Sequence, residues 1–357
     1  MRDERQGLPS ASETERLALC RASFLRSKNQ PDTSSGIAQT GTRVHESVET
    51  GDRAGLTLAE EQLADDCDQL ALIVFDVVFP DWDKANTTTI KEQRLWLTHR
   101  GALLFSGKPD LVAINEDRAL VIDYKTGYLE TIEASRNMQL RALAVLVASN
   151  HDVTEVSVAI VQPNIKPGYS IARYDERDLD LAERHLRQLL DEAQAEDAVA
   201  NPGEKQCRYC KAKPVCKEAQ AESFSVIEAD MTTLDVVRLP ELLEKCDLAD
   251  RVISAIRSAA LGVVESGGSV AGWEMPSAGK SRSFTSAADV YGVVADVISR
   301  EAFMEACDVK INALESAWLE TFDDGTKKNN LVSLKERLES VTVWKGKSVR
   351  KLRKAKS

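Results

Sequence analysis

Ala102-Leu103-Leu104-Phe105-Ser106-Gly107-Lys108-Pro109-Asp110-Leu111-Val112-Ala113-Ile114, then Asn115-Glu116-Asp117, then Arg118-Ala119-Leu120-Val121-Ile122-Asp123-Tyr124-Lys125-Thr126-Gly127, is the stretch whose reading decides the fold. Ala102 to Ile114 and Ala119 to Tyr124 read as two strands, and the polar segment between them reads as a turn. A hairpin sets residues of its two strands side by side, so Asp110 and Asp123 can meet at one end of the sheet. Two hard carboxylate oxygens there suit Mg2+ or Mn2+, which lowers the pKa of its waters and can bridge a phosphate. Lys125 lies two residues beyond Asp123 and so points to the same face, where an ammonium can orient an attacking water and offset charge on a phosphate. The backbone carbonyl of Tyr124 is a candidate third metal ligand. The blander reading is a strand-end ion pair between Asp123 and Lys125. The apolar run Ala119 to Ile122 leading straight into the acid, and Gly127 just after the lysine, favour the catalytic one.

Outward from this hairpin, Thr88 to Thr98 reads as a further strand, making a meander. Upstream the pattern is helical. Ser12-Glu13-Thr14-Glu15 has capping-box spacing and opens a helix carrying Leu17, Cys20 and Phe24; a second helix spans Ile37 to Thr50; Thr57-x-x-Glu60 caps a third through Leu63, Cys67, Leu70 and Val74, closed by Pro80. Downstream, Glu133 to Ser149 reads as a helix, Val153 to Gln162 as a strand and Glu176 to Ala195 as a charged helix. Pro240 to Glu265 is another helix, and the remainder to about Ser340 reads as short strands and helices around Trp273 and Trp318. The expected division is a first domain over residues 1–222, a mostly helical or α+β second domain over 223–343, and a basic tail over 344–357.

The chain has 357 residues, 43% of them apolar and 29% charged, which suits a water-soluble protein with room for two cores and argues against a fibrous or disordered one. The N-terminus has no apolar h-region and no later run spans a bilayer, so a cytoplasmic protein is expected. A net charge of -11 is unusual for a nucleic-acid binder. The charge is unevenly placed, however: Lys345, Lys347, Arg350, Lys351, Arg353, Lys354 and Lys356 make a cationic end on an acidic body.

Seven cysteines in a reducing compartment argue against a disulfide framework. Cys207-x-x-Cys210-x5-Cys216 groups three thiols in a loop that Pro214 stiffens and Arg208, Lys211, Lys213 and Lys217 surround with positive charge. A tetrahedral site needs a fourth. Zinc, an iron-sulfur cluster and bare thiols all remain open on spacing alone. Cys67, Cys246 and Cys307 sit in apolar helical patterns and read as core residues.

In these residues the chain resembles the RecB-like branch of the PD-(D/E)xK nucleases. Gly107 to Asp110 and Val121 to Gly127 resemble its motifs II and III, and Gly41-Thr42-Arg43-Val44-His45-Glu46 resembles its motif I. The resemblance covers about Ser10 to Ala221 and comes nearest to an uncharacterised phage-encoded family. It implies a restriction-endonuclease-like α/β fold, a mixed sheet flanked by helices. It also implies that His45 is a further metal ligand, although a lone histidine is more often structural. Gln139, in Met138-Gln139-Leu140, matches the family's helical glutamine, which helps place the attacking water or the DNA backbone. Four residues later the family's aromatic is replaced by Leu143. Glu92 stands where the family often has a glutamate, and a solvated strand end explains it equally well. Ser10-Ala11-Ser12 through Cys20 and Phe24 resembles the start of the members that carry a [4Fe-4S] cluster, which implies Cys20, Cys207, Cys210 and Cys216 as its ligands, with Zn2+ on the same thiols as the alternative.

The function implied is metal-dependent hydrolysis of DNA phosphodiesters, as an exonuclease or end-processing enzyme in phage or prophage recombination or replication. DNA is the implied partner, alongside a recombination or replication protein. The competing class is a non-catalytic DNA-binding or assembly protein that keeps the nuclease fold, and a third is a redox-sensing cluster protein.

Overall fold

The computed structural model describes residues 4–28, 30, 37–80, 86–225, 237–273, 287–295, 299–305, 307, 314, 318–319 and 327–338. Two short helices, α1 (Thr14–Leu19) and α2 (Ser23–Ser27), precede the longer α3 (Ile37–Thr50) and α4 (Leu58–Val78). The first cap falls two residues earlier than its spacing suggested: the Glu13 carboxylate accepts from the Ser10 N–H at 3.1 Å, ahead of a 3-10 turn over Ala11–Glu13. The Thr57 cap is as expected, with the Glu60 carboxylate accepting from the Thr57 N–H at 2.9 Å.

Among the described residues seven strands follow, β1 (Thr88–Lys91), β2 (Leu95–His99), β3 (Ala102–Gly107), β4 (Leu111–Asn115), β5 (Arg118–Tyr124), β6 (Glu155–Val161) and β7 (Tyr169–Tyr174). The two strands expected over Thr88–Thr98 and Ala102–Ile114 are each broken in the middle. β1 pairs with β4 and β2 with β3, both antiparallel and in one register, Lys91 opposite Leu111 and Leu95 opposite Gly107. The pair is one long bent ribbon whose corner lies at Glu92–Arg94 and Lys108–Asp110. The cause is local. Pro109 has no N–H for the ladder, and Glu92 adopts φ 51°, a left-handed conformation that costs a residue with a side chain about 1–2 kcal/mol. The Glu92 N–H donates to the Asp110 carbonyl at 3.3 Å and closes the bend.

Beyond the corner the ribbon joins a five-stranded sheet of order β1-β4-β5-β6-β7. β4 and β5 form the expected hairpin; β5 and β6 run parallel. The crossover between them is α5 (Met138–Asn150), preceded by a 3-10 turn over Ala134–Arg136, where a single helix from Glu133 was expected. Asn137 stops the turn and caps α5, its side chain accepting from the Leu140 N–H at 3.0 Å. β7 was not expected; it forms an outer strand of half-buried residues, without the strict alternation that marks a strand in sequence. α6 (Glu176–Gln194) completes the layer with α5.

Both sheet faces are covered, so the central strand β5 is apolar almost throughout. Leu120, Ile122 and Tyr124 pack with Val74, Phe75 and Phe79 of the α4 side, whereas Ala119 and Val121 pack with Leu140, Leu143 and Leu146 of α5. This is the α/β mixed sheet flanked by helices that the motifs imply.

The segment after α6 carries α7 (Glu204–Cys207) and α8 (Lys217–Phe224), and the 27-residue α9 (Leu239–Glu265) packs against it through Leu248 and Val252. The chain divides into two compact units, Met1–Met275 and Pro276–Ser357, so the boundary expected at 222 lies inside the first. In the second unit α10 (Ala287–Val294), α11 (Arg300–Glu305) and α12 (Lys327–Leu338) are described. The basic tail lies outside the described residues. Cys67 is in the core, but Cys246 is exposed and Cys307 only half-buried, because the apolar face of α9 carries Leu248 and Val252 two and six positions beyond Cys246. Among the described residues no helix is long and apolar enough to cross a membrane.

Gly107 sits where the ribbon crosses α5. A Cβ there would lie 2.5 Å from Leu146 Cδ1 and 2.8 Å from Leu143 Cδ2, both side chains fully buried. Gly107→Val is therefore expected to destabilise the protein by about 1–3 kcal/mol, read as a lower midpoint in urea unfolding.

Candidate functional site

The corner of the ribbon sets the site. Carrying the register of β1 with β4 one step on puts Glu92 opposite Asp110, and that of β4 with β5 puts Asp110 opposite Asp123. An Asp110 oxygen, Oδ2, accepts from the Tyr124 N–H at 2.7 Å, which fixes the carboxylate at the end of β5. Helix α3 brings the next donor. Its last carbonyls, Val48 and Glu49, accept from Lys91 Nζ at 3.1 and 2.8 Å, and Arg43 Nε donates to Glu60 of α4 at 3.1 Å. With Val44 and Val48 in the core, His45 turns toward the corner, its Nδ1 3.7 Å from Asp110 Oδ2.

Donor atoms of His45, Glu92 and Asp110 lie within 4.8 Å of one another. Glu92 was set aside in sequence as equally well a solvated strand end. Only the continuous register of the two strand pairs sets Glu92 opposite Asp110. Lys108 pairs with the other side of Glu92. The Tyr124 main chain lies close enough to the His45 ring to favour its charged form, and the two rings meet edge to face at 6.5 Å, which puts Tyr124 beside the same three donors.

Asp123 is held differently. It is 3% exposed, and its two oxygens are divided between Lys125 Nζ at 2.6 Å and Gln139 Nε2 at 2.8 Å. Side-chain alternation explains this: Asp123 shares a face with Val121, toward α5, where Gln139 stands on the first turn. Leu143, where an aromatic was expected, is fully buried against the α5 side of the sheet and the bare Gly107 backbone, so that position is committed to packing.

The electrostatics are those of a crowded anionic corner. Burial, then the charge of Asp123, push the Asp110 carboxyl up to about 8, against the lowering effect of the Tyr124 N–H and Lys125. Burial lowers His45, which favours the neutral imidazole that a metal requires. For Lys125 burial works against the charge, but Asp123 and Asp110 outweigh it and the ammonium is held above its ordinary range.

Cys20, Cys207, Cys210 and Cys216 share one neighbourhood, but among the described residues no three of them bring their sulfurs within 4.8 Å of one another. Cys20 and Cys207 each interact electrostatically with Cys210 and Cys216, and with each other on the Cys207 side. Ser27 Oγ lies 3.5 Å from Cys210 Sγ, Arg26 donates to Cys216 Sγ at 3.4 Å, and the Asn201 N–H donates to Cys20 Sγ at 3.3 Å. Burial raises the Cys20 thiol and pushes that of Cys207 up to about 11.

The mixed sheet and its bent ribbon thus collect carboxylates, a histidine and a lysine at one corner, where His45, Glu92 and Asp110 could hold a metal ion. The chain belongs to the family described as "Protein of unknown function (DUF2800)", whose model matches residues 7–324. No curated protein matches it. Among solved structures it is similar to SSO0001, at 14% identity over 61% of this chain and 88% of that one, with a TM-score of 0.37. It is also similar to a candidate exonuclease of Eubacterium rectale (12% identity, 65% and 92% coverage, TM-score 0.36). A third is the alkaline exonuclease LHK-Exo of Laribacter hongkongensis (14% identity, 53% and 89% coverage, TM-score 0.26).

The raised Asp110 carboxyl makes a signed prediction for the metal-free protein. Its ionisation is disfavoured in the folded state, so the stability linked to this group is present below its ordinary value of 3.8 and is lost as pH rises toward about 8. Asp110→Asn in EDTA should melt higher than wild type at pH 8 and show a smaller decline in stability between pH 5 and 8. Saturating Mn2+ should reverse the order, since only an intact site gains binding free energy.

Proposed function

We propose that this protein is a metal-dependent deoxyribonuclease that hydrolyses DNA phosphodiesters. The observation that carries the reading is the convergence of His45, Glu92 and Asp110 beside the Asp123–Lys125–Gln139 set. One nitrogen and two carboxylates from three separate segments form a donor set suited to Mg2+ or Mn2+, with the Tyr124 carbonyl as a further oxygen. When bound, such an ion supplies Lewis acidity toward the phosphate and acidifies water.

The chain's own residues do the rest. Asp123, paired with Lys125 and held by the Gln139 amide, would provide a fixed acceptor for a proton of the incoming water. Lys125 places a positive charge where the phosphate oxygens would gather negative charge in the transition state. Gln139 keeps the Asp123 carboxylate from rotating and reaches the site from the helix, so its role is positioning. Action at DNA ends, in phage or prophage recombination or replication, with a protein partner from that machinery, is the setting the family resemblance suggests.

The four thiols are assigned to a [4Fe-4S] cluster. Their support is convergence from distant parts of the chain, Cys20 on one side and Cys207, Cys210 and Cys216 on the other. A metal centre would take the four sulfurs as ligands, displacing the protons that burial favours on Cys20 and Cys207, and staple α1 to the loop before α8.

Asp123→Ala and Lys125→Ala should each lower cleavage of end-labelled DNA in Mg2+ by at least about a hundred-fold while the circular dichroism spectrum is unchanged. Near wild-type turnover in either variant would overturn the assignment. Anaerobically purified protein should contain about four irons per chain, and Cys20→Ser should lose iron and thermal stability together. Stoichiometric zinc in place of iron would keep the ligands and reject the cluster.

A further inference from the structure

Gln162 is a buried amide, 5% exposed, whose side chain serves a single loop. Its Nε2 donates to the carbonyls of Gly127 at 3.0 Å and Leu129 at 2.7 Å, and its Oε1 accepts from the Thr131 N–H at 3.1 Å. Asn164 Nδ2 donates to the Thr126 carbonyl at 2.8 Å. The loop that follows Lys125 is thus pinned at four backbone positions. Yet it holds Tyr128 at 81% and Leu129 at 71% exposure. A single exposed apolar side chain needs no explanation, but one displayed by a rigid loop three residues from Lys125 does.

A second phenol arrives from elsewhere in the chain. Tyr209 occupies the turn between Cys207 and Cys210, where Cys210 N–H donates to the Cys207 carbonyl, and it is 79% exposed. Its ring lies near enough to Lys125 for the two groups to interact electrostatically. Two exposed aromatics on separately anchored segments are thus tied to Lys125, Tyr128 by three residues of pinned loop and Tyr209 by its electrostatic interaction. α5 offers no aromatic of its own, because Leu143 is fully buried.

We propose that Tyr128 and Tyr209 form a stacking platform for unpaired bases next to the phosphate at the site, so that the protein takes single-stranded DNA ends. Every base presents a π-face once it is unstacked, and an exposed ring on a fixed backbone binds it with little loss of its own freedom. Bases within a duplex have both faces covered by their neighbours and gain nothing from such a surface. The platform also fits the acidic character of the chain, since stacking needs no positive charge. The inference rests on the nuclease reading for the identity of the strand, but it makes its own claim, that bases are contacted and not phosphates alone.

The test uses the full chain in Ca2+ and a short fluorescein-labelled single strand, with anisotropy as the readout. Tyr128→Ala and Tyr209→Ala should each weaken binding about ten-fold, whereas the Phe variants keep wild-type affinity. Abasic residues placed singly along the strand should weaken wild-type binding at one or two positions, and the same abasic residue should add little to the Ala variant whose ring it leaves unpaired. Additive losses, or no loss from any abasic residue, would overturn the platform. A parallel cleavage assay in Mg2+ and Mn2+ separates the two ideas. Cleavage by wild type with no response to abasic residues rejects the platform and leaves the nuclease. Non-additive stacking without cleavage in either ion does the reverse. No binding to any strand rejects both.

Discussion

The constraint on which the rest depends is the corner of the bent ribbon. Pro109 removes one rung of the ladder, and Glu92 turns into a left-handed backbone conformation opposite it. The two changes fall in one register, so both strands leave the small sheet and enter the large one together. A flat ribbon would send the side chains of Glu92 and Asp110 to a sheet face. Bent, it gathers them at an edge, where α3 can add His45 and the end of β5 can add Asp123. A left-handed glutamate is an unfavourable local choice, and it persists because the Asp110 carbonyl, Lys108 and the two strand pairings over-determine it.

How much of this was legible in the sequence follows from which signals are local. The hairpin, the Asp110 and Asp123 pair and the position of Lys125 could be read because alternation and a short polar turn are properties of adjacent residues. Gln139 was marked by motif spacing alone, and its partner could not have been known without the packing of α5 on β5. The corner was missed, since a proline in a strand pattern signals a break but not its direction. Glu92 was left undecided for the same reason: its opposite number lies eighteen positions away, and only the continuous register identifies it. β7 was invisible because an outer strand with half-buried side chains has no period to detect. Cys246 was misread as core because α9 buries another face against the cysteine loop.

Charged pairs hold the loop that carries Cys207, Cys210 and Cys216. Arg26 of α2 pairs with Glu218 at 2.7 Å and donates to Cys216, and Arg251 of α9 reaches Glu204 at 3.2 Å, so the loop around the thiols is braced from both sides by charged pairs. These pairs are partly exposed and individually worth little. Together they hold the two ends of the loop, Glu204 and Glu218, to α9 and α2. On the proposed reading a cluster would perform the same confinement more strongly, since four ligands fix the path of the backbone where an ion pair fixes only side-chain ends.

Charge accounting at the corner bears on how so acidic a chain would accept a polyanion. Glu92, Asp110 and Asp123 face Lys108 and Lys125, and His45 is favoured neutral by its burial, so with all three acids ionised the corner carries one uncompensated negative charge. Burial, and after it the charge of Asp123, push the Asp110 carboxyl toward retaining its proton. A phosphodiester approaching this arrangement meets repulsion. Two added positive charges reverse the sign locally while the outer surface stays acidic. The binding of a divalent cation and of DNA would then be thermodynamically coupled, each raising the affinity of the other. On the proposed reading the corner would then attract a phosphate only with its ion in place, which is a different solution from the broad cationic surface by which many nucleic-acid proteins hold their partner.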